Sequence, residues 1–346
     1  MRIFFWVAVI GLLLVGQGLA CGMCDGGGGW LASAVKSEDG AHSGRAAVKD
    51  GAHPVRMAYL QNDIHHLAFW VALDQGFLRD GIDVEVAGIF RAGPEIMTAF
   101  AAGAVDMAYV GMAPTVTAVA NQTAQVVVVS QANSVGSALV VAVGAAIQGV
   151  GGLVGKTLAI PGHATVQDFL LKKTLQENGV ALSQVNIMVL KPPEMIGALR
   201  TGQIDGFIAW EPYPSQAAAM NVGRNLLTSQ EMWPDHPCCA VVAGSRFLAD
   251  HPESVRTVVA AHLRATDYIR QHPNQAVAIG VKNTGLGAET VRRAMQTVDF
   301  NYRLNLESVK TYVQFLSDLG YIRVADADAF MGGFIGRDWV VESNRP

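Results

Sequence analysis

An internal repeat is the feature that most constrains how this chain can fold. Residues 94–106 are echoed by residues 193–205 at an offset of 99, and the matched residues are Pro94 and Pro193, Glu95 and Glu194, Ile96 and Met195, Met97 and Ile196, Ala99 and Ala198, Phe100 and Leu199, Gly103 and Gly202, and Asp106 and Asp205. Each copy predicts a short helix, a glycine turn and a strand that runs into a loop. The period of 99 residues is longer than that of solenoid repeats, so the repeat indicates two similar lobes. A cleft between two lobes is a common binding place for small ligands.

Strands alternate with helices along the rest of the chain, which predicts an α/β fold. We expect two lobes, each a mixed sheet flanked by helices. Residues 54–137 and 244–346 would form a discontinuous first lobe, with residues 138–243 inserted as the second. Strands at 138–143 and 239–243 would cross between the lobes as a hinge, and hinge closure around a ligand is the motion that such a layout permits.

The N-terminus is typical of an exported protein. Residues 1–20 have one early positive charge, a thirteen-residue apolar run and small residues before Cys21, as a signal peptide does. Leu19-Ala20-Cys21 is similar to the end of a bacterial lipobox, so we expect Cys21 to be lipidated, with ordinary cleavage after Ala20 as the alternative. Residues 21–53 are rich in glycine and predict a flexible tether. We therefore expect a periplasmic or extracytoplasmic protein held at the membrane.

The charge of the chain argues against nucleic acid as a partner. The formal net charge is −4 and 51% of the residues are hydrophobic, and no stripe of lysine or arginine is present. Such a composition supports a large core and leaves a small molecule as the expected ligand.

Candidate ligand contacts were chosen where loops follow strands and helices begin, because helix N-termini bind anions through free N–H groups. Histidine, threonine and asparagine there can donate hydrogen bonds, and tryptophan can wall off a ligand. Each type also has a purely structural use, such as helix capping or core packing. The candidate residues are His65, His66, Gly111, Met112, Asn133, Ser137, His163, Ala164, Thr165, Trp210 and Glu211. Glu211 is left with three alternatives: contact with a ligand, ligation of a cation, or a bond to neighbouring backbone.

The four cysteines do not predict a metal or a cofactor. Cys21 and Cys24 have CxxC spacing but lie at the signal junction, outside a βαβ context. His236-Pro237-Cys238-Cys239 contains ligand types, but no second cluster of suitable spacing completes a site. Cys238 and Cys239 are therefore expected to enter a strand as partly buried residues.

Several motifs together resemble the periplasmic substrate-binding proteins of the nitrate/sulfonate/taurine/bicarbonate ABC importers. The motifs are His65-His66-Leu67-Ala68-Phe69-Trp70-Val71-Ala72, Gly76-Phe77, Gly81-Ile82-Asp83-Val84, Gly93-Pro94-Glu95, Ala102-Gly103, Asp106, Gly111-Met112-Ala113-Pro114, Gln203-Ile204-Asp205, Trp210-Glu211-Pro212 and His236-Pro237-Cys238-Cys239. The resemblance implies a type II periplasmic-binding fold, ligand contacts from loops that contain the candidate residues, and delivery to a permease with a separate ATPase. We also expect a monomer.

The expected function is capture of a small anion of the sulfonate, nitrate or bicarbonate type, without enzymatic activity. One alternative is a binding protein for a thiamine-pyrimidine precursor. A second is a pyrimidine-forming enzyme that uses His66 with Cys238 or Cys239, although the export signal argues against cytosolic biosynthesis. A third is a sensing subunit.

Overall fold

The computed structural model describes residues 54–78 and 82–342 of the chain. The predicted signal peptide, Cys21 and the predicted tether lie outside the described residues. All described residues belong to one compact unit. Within the described part, no helix is both long enough and apolar enough to cross a membrane.

The first sheet has six strands in the order β11-β4-β10-β3-β1-β2. Its strands are β1 (Val55–Leu60), β2 (Val84–Phe90), β3 (Met107–Gly111), β4 (Val126–Val135), β10 (Pro237–Gly244) and β11 (Val298–Asp299). Strands β1, β2 and β3 run parallel, and β10 is antiparallel to both β3 and β4.

The second sheet has five strands in the order β7-β6-β8-β5-β9. Its strands are β5 (Ser137–Ala142), β6 (Thr157–Ile160), β7 (Asn186–Val189), β8 (Gly206–Trp210) and β9 (Gly223–Thr228). Strands β6, β7 and β8 are parallel, and β5 is antiparallel to β8 and β9. Strands β12 (Arg303–Leu304) and β13 (Val341–Glu342) form a separate two-stranded sheet.

Helices flank both sheets. They are α1 (Leu67–Asp74), α2 (Gly93–Ala101), α3 (Met112–Ala120), α4 (Val166–Glu177), α5 (Pro192–Arg200), α6 (Tyr213–Ala219), α7 (Ser229–Met232), α8 (Ser245–Asp250), α9 (Pro252–Gln271), α10 (Pro273–Thr284), α11 (Ala288–Thr297), α12 (Leu306–Asp318) and α13 (Ala327–Phe334), with 3₁₀ turns at Ile64–His66, Val150–Leu153 and Leu182–Gln184.

The two copies of the repeat occupy equivalent places in the two sheets. In the first sheet α2 leads into β3, which pairs with β1, and in the second α5 leads into β8, which pairs with β6. In each sheet three parallel strands are joined by one antiparallel neighbour on the β3 or β8 side. The predicted α/β class, with two mixed sheets flanked by helices, is therefore confirmed.

Burial explains why the central strands have nearly continuous apolar sequences. Every residue of β3 and β8 is buried, and β10 is buried as far as Ala243, because helices cover both faces of each sheet. Strands β2 and β7 lie at sheet edges and expose several residues.

The chain crosses between the sheets twice. The first crossing is at Gly136, between β4 and β5, and the second lies between β9 and β10. Gly136 has φ +87°, and a Cβ atom there would lie 2.3 Å from Nε2 of His65, so glycine is required at this point. Strand β10 lies wholly within the first sheet. The residue boundaries that we assigned to the lobes remain predictions.

Candidate functional site

A small cavity lies where the two sheets meet. It has a volume of about 20 Å³ and is lined from both sheets by Leu60, Asp63, His65, Gly93, Gly111, Pro114, Thr165, Val166, Gln167, Trp210, Cys238 and Cys239. A cavity of this size holds about one water-sized group. No lysine or arginine is among these lining residues, all of which lie in the described ranges.

Three helix N-termini meet at this cavity. Gly93 is the first residue of α2, Gly111 precedes α3, and Thr165 precedes α4. The N-caps of α2 and α3 have no side-chain capping bond. Free N–H groups and the positive ends of three helix dipoles therefore supply the cavity with positive potential, although it has no basic side chain of lysine or arginine.

The start of α4 is held by a local network. Thr165 Oγ1 accepts a hydrogen bond from Asp168 N at 3.2 Å and donates to the Gly162 carbonyl at 2.8 Å. Gln167 Nε2 donates to Ser137 Oγ at 3.0 Å, which ties the helix to β5. Thr165 thus caps the helix and lines the cavity at the same time.

His65 and His66 are fully buried and have different hydrogen-bond partners. His65 Nε2 lies 2.9 Å from the Val135 carbonyl oxygen, to which it donates. His66 Nδ1 accepts from the Leu60 backbone N–H at 3.1 Å. Burial lowers the pKa of His66 to about 4, despite the nearby Asp63 carboxylate. His66 is therefore neutral, with its proton on Nε2.

His65 faces two acidic groups. Its Nδ1 is 2.8 Å from Asp63 Oδ1, although the two atoms are not aligned as a hydrogen bond. Burial by itself lowers the pKa of His65, but the neighbouring Cys238 and Asp63 raise it well above its usual value. The imidazole is thus stabilised as a cation by the negative groups around it.

Cys238 and Cys239 are buried free thiols in β10. A hydrogen bond from Cys239, aided by His65 and opposed by burial, holds the pKa of the Cys238 thiol well below its usual value. The same bond, together with burial, raises the pKa of Cys239. Cys238 and His65 therefore each favour the charged form of the other.

Trp210 and Glu211 follow β8 and have separate environments. Trp210 lines the cavity, and no described residue accepts a hydrogen bond from its buried Nε1. Glu211 accepts from Ser215 N at 3.1 Å and from Thr297 Oγ1 at 3.2 Å. Burial raises the pKa of Glu211. Of the three alternatives for Glu211, these contacts match the bond to neighbouring backbone.

Four of the candidate residues line the cavity: His65, Gly111, Thr165 and Trp210. The others lie outside its lining: His66, Met112, Asn133, Ser137, His163, Ala164 and Glu211. His163 and Ala164 line a neighbouring surface groove beside α2 and α3, and the His163 side chain is 61% exposed. Asn133 Nδ2 donates to the His65 carbonyl at 2.6 Å, and so positions the loop that carries the histidines.

The candidate ligand contacts from the sequence do not include Asp63, Gln167, Cys238 or Cys239, all of which line the cavity. Asp63 caps the 3₁₀ turn that carries the two histidines, and its place in the loop after β1 was a usable signal. The cysteines were set aside because no partner cluster was visible in the sequence. The fold brings such partners to the cysteines, because Asp63 and His65 lie beside a strand more than 170 residues further along the chain.

Comparison with known proteins identifies the family. The model of the NMT1-like family matches residues 49–281. The chain belongs to the NMT1-like family. This match covers both copies of the repeat and the strand that carries the two cysteines.

Curated relatives of this NMT1-like chain are binding proteins by name. One, a protein of Brucella abortus (strain 2308) named as a binding protein, is 27% identical over 232 residues, which is 66% of this chain and 71% of the relative. The taurine-binding periplasmic protein of Escherichia coli (strain K12) is 31% identical over 169 residues, which is 48% of this chain and 52% of the relative.

Solved structures share the fold. The periplasmic nitrate-binding protein NrtA from Synechocystis PCC 6803 superposes with a TM-score of 0.72 at 15% identity, covering 83% of this chain and 86% of that protein. The resemblance to periplasmic binding proteins that the sequence motifs indicated is confirmed for the fold and for the family.

Proposed function

We propose that this protein is the extracytoplasmic substrate-binding component of an ABC importer, and that it captures a small anion between its two lobes for delivery to a permease. Its NMT1-like family and its taurine- and nitrate-binding relatives support this role. One observation supports an anion as the ligand: three helix N-termini meet at one cavity that is lined from both sheets.

The size of the cavity implies movement. A volume of about 20 Å³ holds one water-sized group, so a sulfonate can enter only after the lobes separate. The two chain crossings, at Gly136 and before β10, form the natural hinge. In this proposal the structure is a closed form, and ligand binding selects closure.

Trp210 is the best residue for testing the site. Its buried Nε1 has no acceptor among the described residues, and an anion oxygen would supply one. We expect Trp210→Ala to weaken ligand binding by about tenfold or more, as loss of a buried aromatic anchor does. His163→Ala is the matched control because His163 lies outside the cavity lining. The ligand affinity of this variant should stay close to that of the parent.

The experiment is calorimetry of the purified full chain with taurine, longer alkylsulfonates, nitrate, bicarbonate and a pyrimidine precursor. A bound ligand at ~100 times its Kd raises the free energy of unfolding by about 2.7 kcal/mol, so thermal shift provides a second readout. No binding by any anion would contradict the proposal. Binding of the pyrimidine alone would favour the alternative of a pyrimidine-precursor carrier.

The proposal includes export and a lipid anchor at Cys21. It is supported by the apolar run and the small residues that precede this cysteine. Cells fed labelled palmitate should yield labelled protein in the membrane fraction, and Cys21→Ser should abolish the label. An unlabelled parent protein released to the periplasm would instead indicate ordinary cleavage.

A further inference from the structure

Five buried side chains that can bind metals or support their ligands lie together, and four of them line the cavity. A ring nitrogen of His65 and the sulfur atoms of Cys238 and Cys239 lie within 4.8 Å of one another. One ligand atom from each of Asp63, His66 and Cys239 also lies within 4.8 Å of the other two. These residues come from only two segments, the loop after β1 and the start of β10, and both belong to the first sheet.

A distortion of β10 accompanies the close approach of the two sulfur atoms. Successive side chains of a regular strand point to opposite faces, which would separate adjacent cysteines. The pairing of β10 with β4 is irregular between Pro237 and Cys239 and again between Cys239 and Ala240. Bulges re-aim side chains in this way and are frequent beside functional sites.

The hydrogen bonds of the two histidines decide which of them can bind a cation. His65 donates through Nε2 to the Val135 carbonyl, so Nδ1 is the nitrogen that offers a lone pair once the imidazole is neutral. An imidazole that donates its second N–H to a backbone carbonyl is the usual arrangement of a metal-binding histidine. His66 accepts a backbone N–H at Nδ1, so its Nε2 carries the proton and cannot bind a metal without losing it.

Asp63 and the neutral form of His65 present two acceptors to each other, which also favours a bound cation. His65 Nδ1 lies 2.8 Å from Asp63 Oδ1 without the alignment of a hydrogen bond, and both residues are buried. His66 Nε2 lies 3.6 Å from Asp63 Oδ2, where it can orient the carboxylate from the outside. Two thiols, one imidazole and one carboxylate are ligands that zinc takes in four-coordinate sites.

We propose that Asp63, His65, Cys238 and Cys239 form a binding site for one thiophilic metal ion of the zinc class, with His66 orienting Asp63. Binding displaces the protons that the thiols and His65 hold, so it releases protons to solvent. Because all four ligands lie on the first lobe, ion binding does not require the lobes to close. The site goes beyond the proposed anion role and does not depend on it.

The test uses the full chain, reduced and freed of metals, titrated with Zn²⁺ alone and with Co²⁺ alone. We expect one equivalent to bind at this site with proton release, and Co²⁺ to give a thiolate charge-transfer absorption. Mass spectrometry should show that Zn²⁺ protects Cys238 and Cys239 from alkylation. Cys21→Ser with Cys24→Ser removes the thiols near the N-terminus as competitors and should leave this equivalent in place.

Variants separate the ligands from their surroundings. Cys238→Ser and His65→Gln should each lower affinity by more than the ~10–100-fold that loss of an outer partner produces, which is the effect expected of His66→Gln. His262→Gln is the matched control, since His262 is an equally buried histidine bonded to a backbone carbonyl elsewhere. Trp210→Ala should leave Zn²⁺ uptake unchanged, which separates this proposal from that of anion binding.

Two results would contradict the proposed metal site. One is a reduced parent chain whose Cys238 and Cys239 stay open to alkylation with Zn²⁺ present and give no cobalt–thiolate absorption. The other is a Cys238–Cys239 disulfide that persists in the purified protein under reducing conditions. Both results are measured on the parent chain, so they test the metal site even if a cysteine variant fails to fold.

Discussion

Adjacent histidines can have opposite roles when their backbone surroundings differ. His65 and His66 share a 3₁₀ turn, yet one donates to a carbonyl and the other accepts from a backbone N–H. The sequence shows two imidazoles at a helix start, which supports ligand contact for both. Only the tertiary partners, Val135 and Leu60, distinguish them, because each fixes a different tautomer.

A third buried histidine makes stability depend on pH. His262 lies between Tyr109 Oη, 3.0 Å from its Nδ1, and the Gln131 carbonyl, 2.9 Å from its Nε2. Burial lowers its pKa to about 4. The unfolded chain therefore binds a proton that the folded chain does not, and stability falls as the pH decreases from about 6.5 towards 4.

We expect this histidine to remove about 2 kcal/mol from the free energy of unfolding between pH 7 and pH 5. His262→Gln should be less stable at pH 7, because the bond to Tyr109 is lost, yet lose correspondingly less on acidification. Urea unfolding of both proteins at several pH values measures the difference. Parallel pH profiles would show that His262 does not contribute.

At the scale of helices and strands, sequence patterns located most of the fold. The sequence predicts helices at Val166–Glu177, Pro192–Arg200 and Ala288–Thr297, and the structure has the same bounds. Apolar spacing supports these predictions, with a Thr165 cap at the first helix and prolines at the start of the second. The sequence does not predict helix Tyr213–Ala219, which begins directly after the expected loop at residues 209–212. Strand Gly223–Thr228 was also missed, because it is a partly exposed edge strand with Arg224 and Asn225.

The site was less predictable than the fold for a related reason. Gly111 and Thr165 were found because helix starts have local signals. Cys238 and Asp63 were not, because their importance depends on contact across most of the chain, and a regular strand would not bring adjacent cysteines together.

The repeated aspartates perform the same structural task in both sheets. Asp106 Oδ2 accepts from the backbone N–H of Arg56, and Asp205 Oδ2 accepts from that of Thr157, both at 2.9 Å. Each bond fastens the beginning of one parallel strand to its neighbour. The motif is thus explained by sheet construction, and it needs no ligand.

The surroundings of the two aspartates predict different costs on mutation. The Asp106 side chain is 11% exposed and also binds the Arg56 guanidinium at 2.7 Å, whereas that of Asp205 is 40% exposed and lies 3.5 Å from Lys156 Nζ. We expect Asp106→Ala to lower the free energy of unfolding by about 2 kcal/mol and Asp205→Ala by about 1 kcal/mol. Urea unfolding would test this order, with the exposed Glu253→Ala as control, and equal costs would contradict it.

At the scale of the whole molecule, a polar cluster joins helix α4 to the segment that follows α12. Tyr321 Oη donates to Asp168 Oδ2 at 2.7 Å, and Lys172 Nζ lies 2.8 Å from Asp168 Oδ1. Asp168 and Lys172 belong to α4 beside the second sheet, whereas the Tyr321 carbonyl accepts from Asn121 at the end of α3. The tyrosine therefore links α4 to the end of α3, and in the proposed closure it would stabilise the closed form.

Tyr321→Phe should shift the molecule towards an open form. The variant removes the bond to the buried Asp168 carboxylate and the bond from Lys172. The first alone is worth about 1.5–3 kcal/mol, or about tenfold or more in the open–closed equilibrium. Small-angle X-ray scattering should show a larger radius of gyration without ligand. Tyr302→Phe is the matched control, because Tyr302 bonds to Asp267 of α9 and not to α4. If both variants scatter like the parent, Tyr321 does not stabilise the proposed closed form.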